Sequence, residues 1–122
     1  MRMDDLQELE ATADCLEALG NSTRLSIYRL LVRAGPEGLP VGAIQEALGV
    51  PASTLTHHLN RLIWVGLVQQ QRRGRQLLCS TNFVCLDRMM NFIERECCAD
   101  ARPKEAECHV KEARPRRAMR AT

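Results

Sequence analysis

The sequence predicts a mainly helical domain with one small β-hairpin, and three observations lead to that prediction. Apolar residues recur at intervals of three and four along several segments, as they do on one face of an amphipathic helix. Aromatic residues make up only 3% of the 122 residues, so the core has to be built from aliphatic side chains that favour helices. Late in the chain, two short extended segments flank a glycine, which is typical of a hairpin.

The first half of the chain contains three predicted helices. The first carries an apolar stripe, formed by Leu6, Leu9, Ala13 and Leu16. Gly20 ends this helix, and Asn21 is placed to cap a second helix over about residues 22–32, whose apolar side chains mostly face inward. A turn rich in glycine and proline follows at residues 34–38, and a short third helix is predicted over about residues 41–48.

The second half contains a fourth helix, a hairpin and a last helix. The fourth helix is predicted over about residues 52–65, with a buried stripe of Leu55, Leu59 and Leu62. The hairpin covers residues 69–80 with Gly74 at its tip, and the last helix runs to about Cys98. Its apolar stripe consists of Leu86, Met90, Ile93 and Cys97. The domain is expected to end near residue 100, and residues 101–122 are predicted to be a disordered basic tail.

The order of these elements is itself informative. Two short helices joined by a glycine-containing break, followed by a hairpin with arginines at its tip, form the pattern of a winged helix-turn-helix. We therefore predict four helices, two strands and a final helix, with the third and fourth helices as the helix-turn-helix.

Charge is distributed unevenly, although the formal net charge is only +2. Residues 1–20 carry six acidic residues and one basic residue, the opposite of a secretory or transit signal. No apolar stretch reaches the roughly 20 residues that span a bilayer, so we expect a cytoplasmic protein without a membrane partner. Residues 47–86 contain no Asp or Glu, and a surface that lies against phosphates explains this better than chance does.

The polar face of the fourth helix and the hairpin tip provide the predicted contacts to double-stranded DNA. A recognition helix offers its first turns to base edges in the major groove, while wing arginines reach phosphate or the minor groove. Arg61 is expected nearer the DNA backbone, and His58 is predicted to be a partly buried, hydrogen-bonded structural residue. The predicted contacts are Ser53, Thr54, Thr56, His57, Arg61, Arg72, Arg73 and Arg75.

Six cysteines stand at positions 15, 79, 85, 97, 98 and 108. In the cytosol they are expected to be thiols, and no Cys-x-x-Cys or His-x-x-x-His pair points to a tetrahedral zinc site. Cys79 and Cys85 are expected in the core. The sequence contains no nucleophile–base–acid set, phosphate-binding loop or paired carboxylates, so it predicts a protein that is not an enzyme.

Residues 18–25 read ALGNSTRL, at the junction between the first two predicted helices, and residues 50–59 read VPASTLTHHL, around the start of the fourth. These segments resemble the helix junction and the recognition helix of the ArsR/SmtB family of metalloregulatory repressors. GLV at residues 66–68 and RRGR at residues 72–75 match the end of that helix and the wing. The resemblance spans about half of the chain. It implies a homodimer formed by the first and last helices, and a repressor that leaves its operator when an inducer binds. In such a dimer, Cys15 is expected near the seam of the first helix and within reach of the partner's last helix.

The sequence departs from the family at the positions that usually bind the inducer. Pro40 and Gly42 stand where the arsenic-sensing branch often has Cys-x-Cys in the third helix. No histidine lies between Asn82 and Asp100, where the zinc-sensing branch has ligands on the last helix. Ala52 replaces a glutamine that is frequent near the start of the recognition helix, so the operator sequence does not carry over from relatives.

Cys97 and Cys98 are therefore the predicted inducer site. Cys97 continues the stripe of the last helix that the resemblance places at the dimer seam, and Cys98 lies about 100° around the helix from it. Adjacent soft thiolates suit trivalent arsenic or antimony, including methylated arsenicals, with Cys108 as a third ligand. His109, next to Cys108, makes zinc or cadmium the weaker alternative.

Three alternatives to this hypothesis stay open. In the first alternative, Cys97 is only a small buried apolar residue of the dimer seam, and Cys98 has no role. In the second, a repressor of the same fold senses oxidants or persulfides through Cys97 or Cys98 paired with another thiol. In the third, the winged helix binds a protein instead of DNA, although such a module has no need of an acid-free recognition helix and wing.

Overall fold

The computed structural model describes residues 2–98, apart from the side chain of Cys98. The predicted tail, residues 101–122, lies outside the described residues. Within them the predicted order of helices and hairpin is confirmed, with one additional short strand. The elements are α1 Met3–Leu19, α2 Ser22–Ala34, β1 Leu39–Pro40, α3 Val41–Leu48, α4 Ala52–Trp64, β2 Val68–Arg73, β3 Gln76–Thr81, α5 Phe83–Phe92 and a π-helical segment Ile93–Cys98.

The junction between α1 and α2 follows from two adjacent residues, as predicted. The Gly20 N–H donates to the carbonyl oxygen of Glu17 at 3.1 Å and closes the last turn of α1. The Asn21 side chain accepts a hydrogen bond from the backbone N–H of Arg24 at 3.0 Å. It thereby satisfies one of the free donors at the start of α2. α2 continues to Ala34, two residues beyond its predicted end.

The buried face of α1 differs from the predicted one. Leu6, Leu9 and Leu16 of the predicted stripe are between 40% and 46% exposed. The residues of α1 that are buried are instead the small or polar Thr12, Cys15 and Ala18. Small side chains allow α1 to lie close to its neighbours, while its leucine stripe faces solvent. On α2, Leu25 is likewise exposed, and Ile27, Tyr28 and Leu31 are buried.

The helix-turn-helix is formed by α3 and α4. Gly49 ends α3 in the left-handed conformation, with φ 64° and ψ 27°, and its N–H donates to the carbonyl of Gln45 at 2.8 Å. The predicted stripe of α4 is confirmed, because Leu55, Leu59 and Leu62 are at most 1% exposed. This stripe anchors α4 in the core and leaves its opposite face to solvent.

The hairpin belongs to a three-stranded antiparallel sheet in the order β1-β3-β2. The strand β1 was not predicted, because two residues carry no periodicity. Gly38 precedes it with φ 73°, and a Cβ there would lie 2.3 Å from the carbonyl oxygen of Cys79. Only glycine therefore allows β1 to approach β3 this closely. At the other end, Gly74 has φ 61° in the two-residue turn between Arg73 and Gln76, as in a type II′ hairpin.

The α-helical part of the last helix is shorter than predicted. Asn82 caps it by accepting a hydrogen bond from the N–H of Cys85 at 3.4 Å, and after Phe92 the chain continues as a π-helix to Cys98. Met89 and Phe92 are the buried residues of α5, whereas Met90 of the predicted stripe is 53% exposed. The predicted stripe is thus divided: Leu86 and Ile93 are half-buried against the core, whereas Met90 and Cys97 face solvent.

Candidate nucleic-acid interface

The solvent face of α4 presents short polar side chains, as predicted. Ser53, Thr56, His57 and Asn60 are exposed, and Thr54 is half-buried. The hydroxyl of Thr56 donates to the carbonyl of Ala52 at 2.9 Å, so its oxygen stays available as an acceptor. Side chains of this size allow the helix backbone to approach base edges closely.

His57 and His58 are adjacent but differ in environment. His57 is exposed, whereas His58 is half-buried and its Nδ1 lies 3.4 Å from Nη1 of Arg24. Burial lowers the pKa of His58 below its ordinary value, and the neighbouring Arg24 lowers it further. Because an arginine side chain can only donate, Nδ1 of His58 is the acceptor in this contact. The structure therefore confirms that His58 is partly buried and hydrogen-bonded, as predicted, and His57 is the outward-facing residue.

Arg24 and Glu17 connect the recognition helix to α1. Nε of Arg24 donates to the carbonyl of Ala18 at 2.7 Å, and its Nη2 lies 3.8 Å from Oε1 of Glu17. The other oxygen of Glu17 accepts a hydrogen bond from Arg61 of α4. Arg61 was predicted near the DNA backbone, but here its charge is engaged within the chain. The contact between Glu17 and Arg61 was not predicted, because the two residues are 44 positions apart in the sequence.

The wing carries three exposed arginines on two different sides. Consecutive residues of a strand point to opposite faces, so Arg72 and Arg73 diverge. Arg72 and Arg75 line a groove together with Gly42 of α3. Arg73 lines a different groove, which also contains Glu37. The sequence between residues 47 and 86 is free of acids, but the fold brings in Glu37 from outside that stretch. The side that holds Arg72 and Arg75 is therefore the more cationic side of the wing.

The predicted thiol site is placed only in part. Cys97 is exposed in the π-helical segment, while the side chain of Cys98 and all of Cys108 lie outside the described residues. Among the residues that the structure describes, no group of three or more His, Cys, Asp or Glu side chains is arranged to hold a metal ion. Cys79 is buried as predicted, and burial raises the pKa of its thiol.

The structure brings together two cysteines that the sequence had not paired. Cys15 was expected near a partner's last helix, but its Sγ lies 3.8 Å from Sγ of Cys85 in the same chain. The sequence gives no local signal for this contact, because the residues are 70 positions apart on different helices.

None of the helices in the described part of the chain combines the length and the apolar character needed to cross a membrane.

Comparison with known proteins agrees with this geometry. A family described as a helix-turn-helix domain matches residues 19–71. A Halobacterium salinarum protein, named as a candidate arsenical resistance operon repressor ArsR, is 37% identical over 83 residues, which cover 61% of this chain and 64% of that protein. The chain thus spans slightly less than two thirds of that relative. The Escherichia coli HTH-type transcriptional regulator YgaV is 32% identical over 82 residues, covering 64% of this chain and 81% of that protein.

Solved structures show the same fold. An ArsR-like transcriptional regulator from Rhodococcus sp. RHA1 superposes with a TM-score of 0.64 at 25% identity, over 71% of this chain and 79% of that chain. The homodimeric winged helix-turn-helix DNA-binding domain of a Mycobacterium bovis protein gives a TM-score of 0.62 at 22% identity, over 89% of this chain and 97% of that chain.

Proposed function

The chain belongs to the ArsR family of helix-turn-helix transcriptional regulators, and on that premise we propose that it is a dimeric repressor that binds operator DNA and releases it when trivalent arsenic binds. The observation that carries the DNA-binding part is the exposed polar face of α4. Leu55, Leu59 and Leu62 fix this helix in the core, and its opposite face offers small hydrogen-bonding side chains beside the cationic wing.

The exposed apolar faces of α1 and α5 support the dimer. Leu6, Leu9 and Leu16 of α1 and Met90 of α5 are each at least 40% exposed within one chain, on helices that pack against each other. Apolar side chains concentrated on one pair of helices favour association through that surface. A two-fold axis there presents two copies of α4 to successive major grooves, about 34 Å apart.

Salt dependence tests the DNA contacts of the wing. We expect Arg72→Ala and Arg75→Ala each to weaken binding to all sequences and to flatten the plot of log affinity against log salt, by about 0.9 for each lost phosphate contact. Fluorescence anisotropy with DNA from upstream of the protein's own gene measures this. Arg29→Ala, which removes an exposed arginine of α2, is the matched control. An unchanged slope in both wing variants contradicts the proposed interface, and no binding to any DNA favours the protein-binding alternative.

The inducer site is proposed at Cys97 and Cys98, with Cys108 as the third sulfur ligand. The exposed thiol of Cys97 stands in the π-helical segment next to the proposed dimer surface. The name of the halobacterial relative supports an arsenical as the ligand. Three sulfurs suit arsenite or antimonite and two suit a methylated arsenical, with zinc or cadmium as the weaker candidates. A ligand that holds this end of the last helix in one arrangement releases DNA if that arrangement disfavours the DNA-bound dimer.

Arsenite titration of the protein–operator complex tests this site. We expect arsenite to release DNA from the parent protein and from Cys79→Ser, whose buried thiol lies on β3. Cys97→Ser and Cys98→Ser are expected to keep DNA bound in arsenite. Release in both of these variants places the ligand elsewhere. Release by peroxide or polysulfide, but not by arsenite, supports the thiol-oxidation alternative.

A further inference from the structure

Cys15 of α1 and Cys85 of α5 form a close pair of thiols. Their Sγ atoms are 3.8 Å apart, and both lie near the backbone carbonyl oxygen of Val65, at 3.5 Å from Cys15 and 3.8 Å from Cys85. A shared acceptor orients both S–H groups toward one point at the end of α4. The two sulfurs are therefore held side by side by three separate elements of the fold.

A cavity of about 500 Å³ opens onto this pair between α1 and α5. Both cysteines line it, together with the apolar side chains of Val65 and Met89 and the hydroxyl-bearing Thr12. A water molecule occupies about 30 Å³ in the liquid, so a small peroxide has ample room. The thiol pair is therefore within reach of small solutes.

The two thiols differ in accessibility. Cys15 is 4% exposed, whereas Cys85 is half-buried and borders the cavity. Burial, followed by the neighbouring Cys85, raises the pKa of Cys15 to about 12, so this thiol keeps its proton at neutral pH. An oxidant entering through the cavity meets Cys85 first, with Cys15 positioned behind it as a second thiol.

We propose that Cys15 and Cys85 are an oxidation site, where a hydroperoxide converts the thiol pair into a reversible disulfide between α1 and α5. Cys85 Sγ attacks one peroxide oxygen of hydrogen peroxide; the O–O bond breaks, and a sulfenic acid and one water form. Cys15 Sγ then attacks Cys85 Sγ. The S–O bond breaks, the S–S bond forms, and the hydroxyl leaves with the Cys15 proton as a second water. Two electrons pass from the thiols to the peroxide.

The geometry requires only a small movement. The sulfurs have to approach from 3.8 Å to about 2.05 Å, with the cavity beside them to take up the shift. The disulfide joins the two helices that carry the exposed apolar faces, and it closes a loop between residues 70 positions apart. Because such a cross-link restricts the unfolded chain, the oxidised protein should melt at a higher temperature than the reduced protein. The site is independent of the proposed arsenic ligands.

Peptide mapping of the full chain tests the proposal. After hydrogen peroxide and blocking of free thiols, trypsin should yield residues 3–24 joined to residues 76–88, and dithiothreitol should separate them. The second peptide contains both Cys79 and Cys85, so fragmentation has to place the bond. We expect it at Cys85, with the joined peptides kept in Cys79→Ser and lost in Cys85→Ser.

Three outcomes overturn the proposal. The first is oxidation of Cys85 to a sulfinic acid without cross-linking. The second is a disulfide that persists in Cys85→Ser because Cys15 bonds to Cys79. The third is a Cys15–Cys85 bond found only between two chains, as a covalent dimer on a non-reducing gel. Because the decisive measurement uses the parent protein, a variant that fails to fold does not weaken it.

Discussion

Glu17 decides how much positive charge α4 offers to DNA. Its carboxylate pairs with Arg61, whose side chain is 39% exposed, and lies 3.8 Å from Arg24, which is half-buried at the end of α1. An ion pair this exposed contributes little to stability, about 1 kcal/mol or less. Its larger effect is on binding, because it neutralises a cation on the recognition helix. Arg61 therefore reaches a phosphate only if Glu17 releases it.

Replacing Glu17 should strengthen DNA binding. In Glu17→Gln, Arg61 is free to meet a phosphate, so affinity should rise and the salt dependence should steepen by about 0.9 for each phosphate gained. Anisotropy titrations over a range of salt concentrations measure both quantities. Glu10→Gln, which removes another exposed acid of α1, controls for the change in net charge. Equal slopes for the two variants would show that Arg61 does not contact DNA.

His58 should make stability depend on pH. Its pKa in the folded chain is below the ordinary 6.5, so the unfolded chain binds more protons as the pH falls past that value. The free energy of unfolding is then highest above pH 6.5 and decreases as the pH falls toward the folded pKa. Urea unfolding on either side of pH 6.5 measures this decrease. The decrease should become smaller in His58→Gln and stay in His57→Gln; the reverse pattern would assign it to the exposed ring.

The wing depends on one glycine at its inner edge. Gly38 combines a positive φ with a backbone contact that leaves no room for a Cβ, and it lies directly before β1, which pairs with β3. Gly74, at the tip, has a positive φ but nothing within 4 Å of an added Cβ. A side chain at Gly74 would therefore meet backbone strain alone, whereas a side chain at Gly38 would meet both backbone strain and a steric clash.

Gly38→Ala should destabilise the protein more than Gly74→Ala. Both variants force a side chain into left-handed backbone, which costs about 1–3 kcal/mol. Only Gly38→Ala also pushes β1 away from Cys79. Denaturant unfolding gives the two free energies, and equal losses would mean that β1 adds nothing to the stability of the sheet.

Sequence periodicity predicted the positions of the helices correctly, but it predicted the buried face of only some of them. The stripe of α4 is buried because its leucines pack within the chain. The stripe of α1 has the same spacing, yet periodicity does not say whether an apolar face is covered by the same chain or by a partner. Cys15 and Thr12, which α1 does bury, are too small or too polar to mark a face. Contacts such as Glu17 with Arg61 join distant segments, and no local pattern reports them.

The proposed dimer should dissociate when the exposed apolar face of α1 is made polar. Leu9 is 40% exposed in one chain and would be buried twice across a two-fold axis. At about 1.5–3 kcal/mol for each buried leucine, Leu9→Glu should weaken association by two orders of magnitude or more. Light scattering measures the mass, and circular dichroism checks the fold. Leu25→Glu, at a residue of α2 that is 49% exposed, should stay dimeric. Equal behaviour of both variants would place the dimer surface elsewhere.

The recognition helix is attached to the proposed dimer helices at more than one point. Glu17 engages Arg61 within α4, and the thiols of α1 and α5 point to the carbonyl of Val65 just after it. Within the described residues, these contacts tie the position of each α4 to its own half of the proposed dimer, so without inducer the two recognition helices keep one preferred separation. Inserting one base pair between operator half-sites shifts them by about 3.4 Å and about a tenth of a turn. A dimer with one preferred separation does not follow that shift, so operators for this protein should share a single half-site spacing.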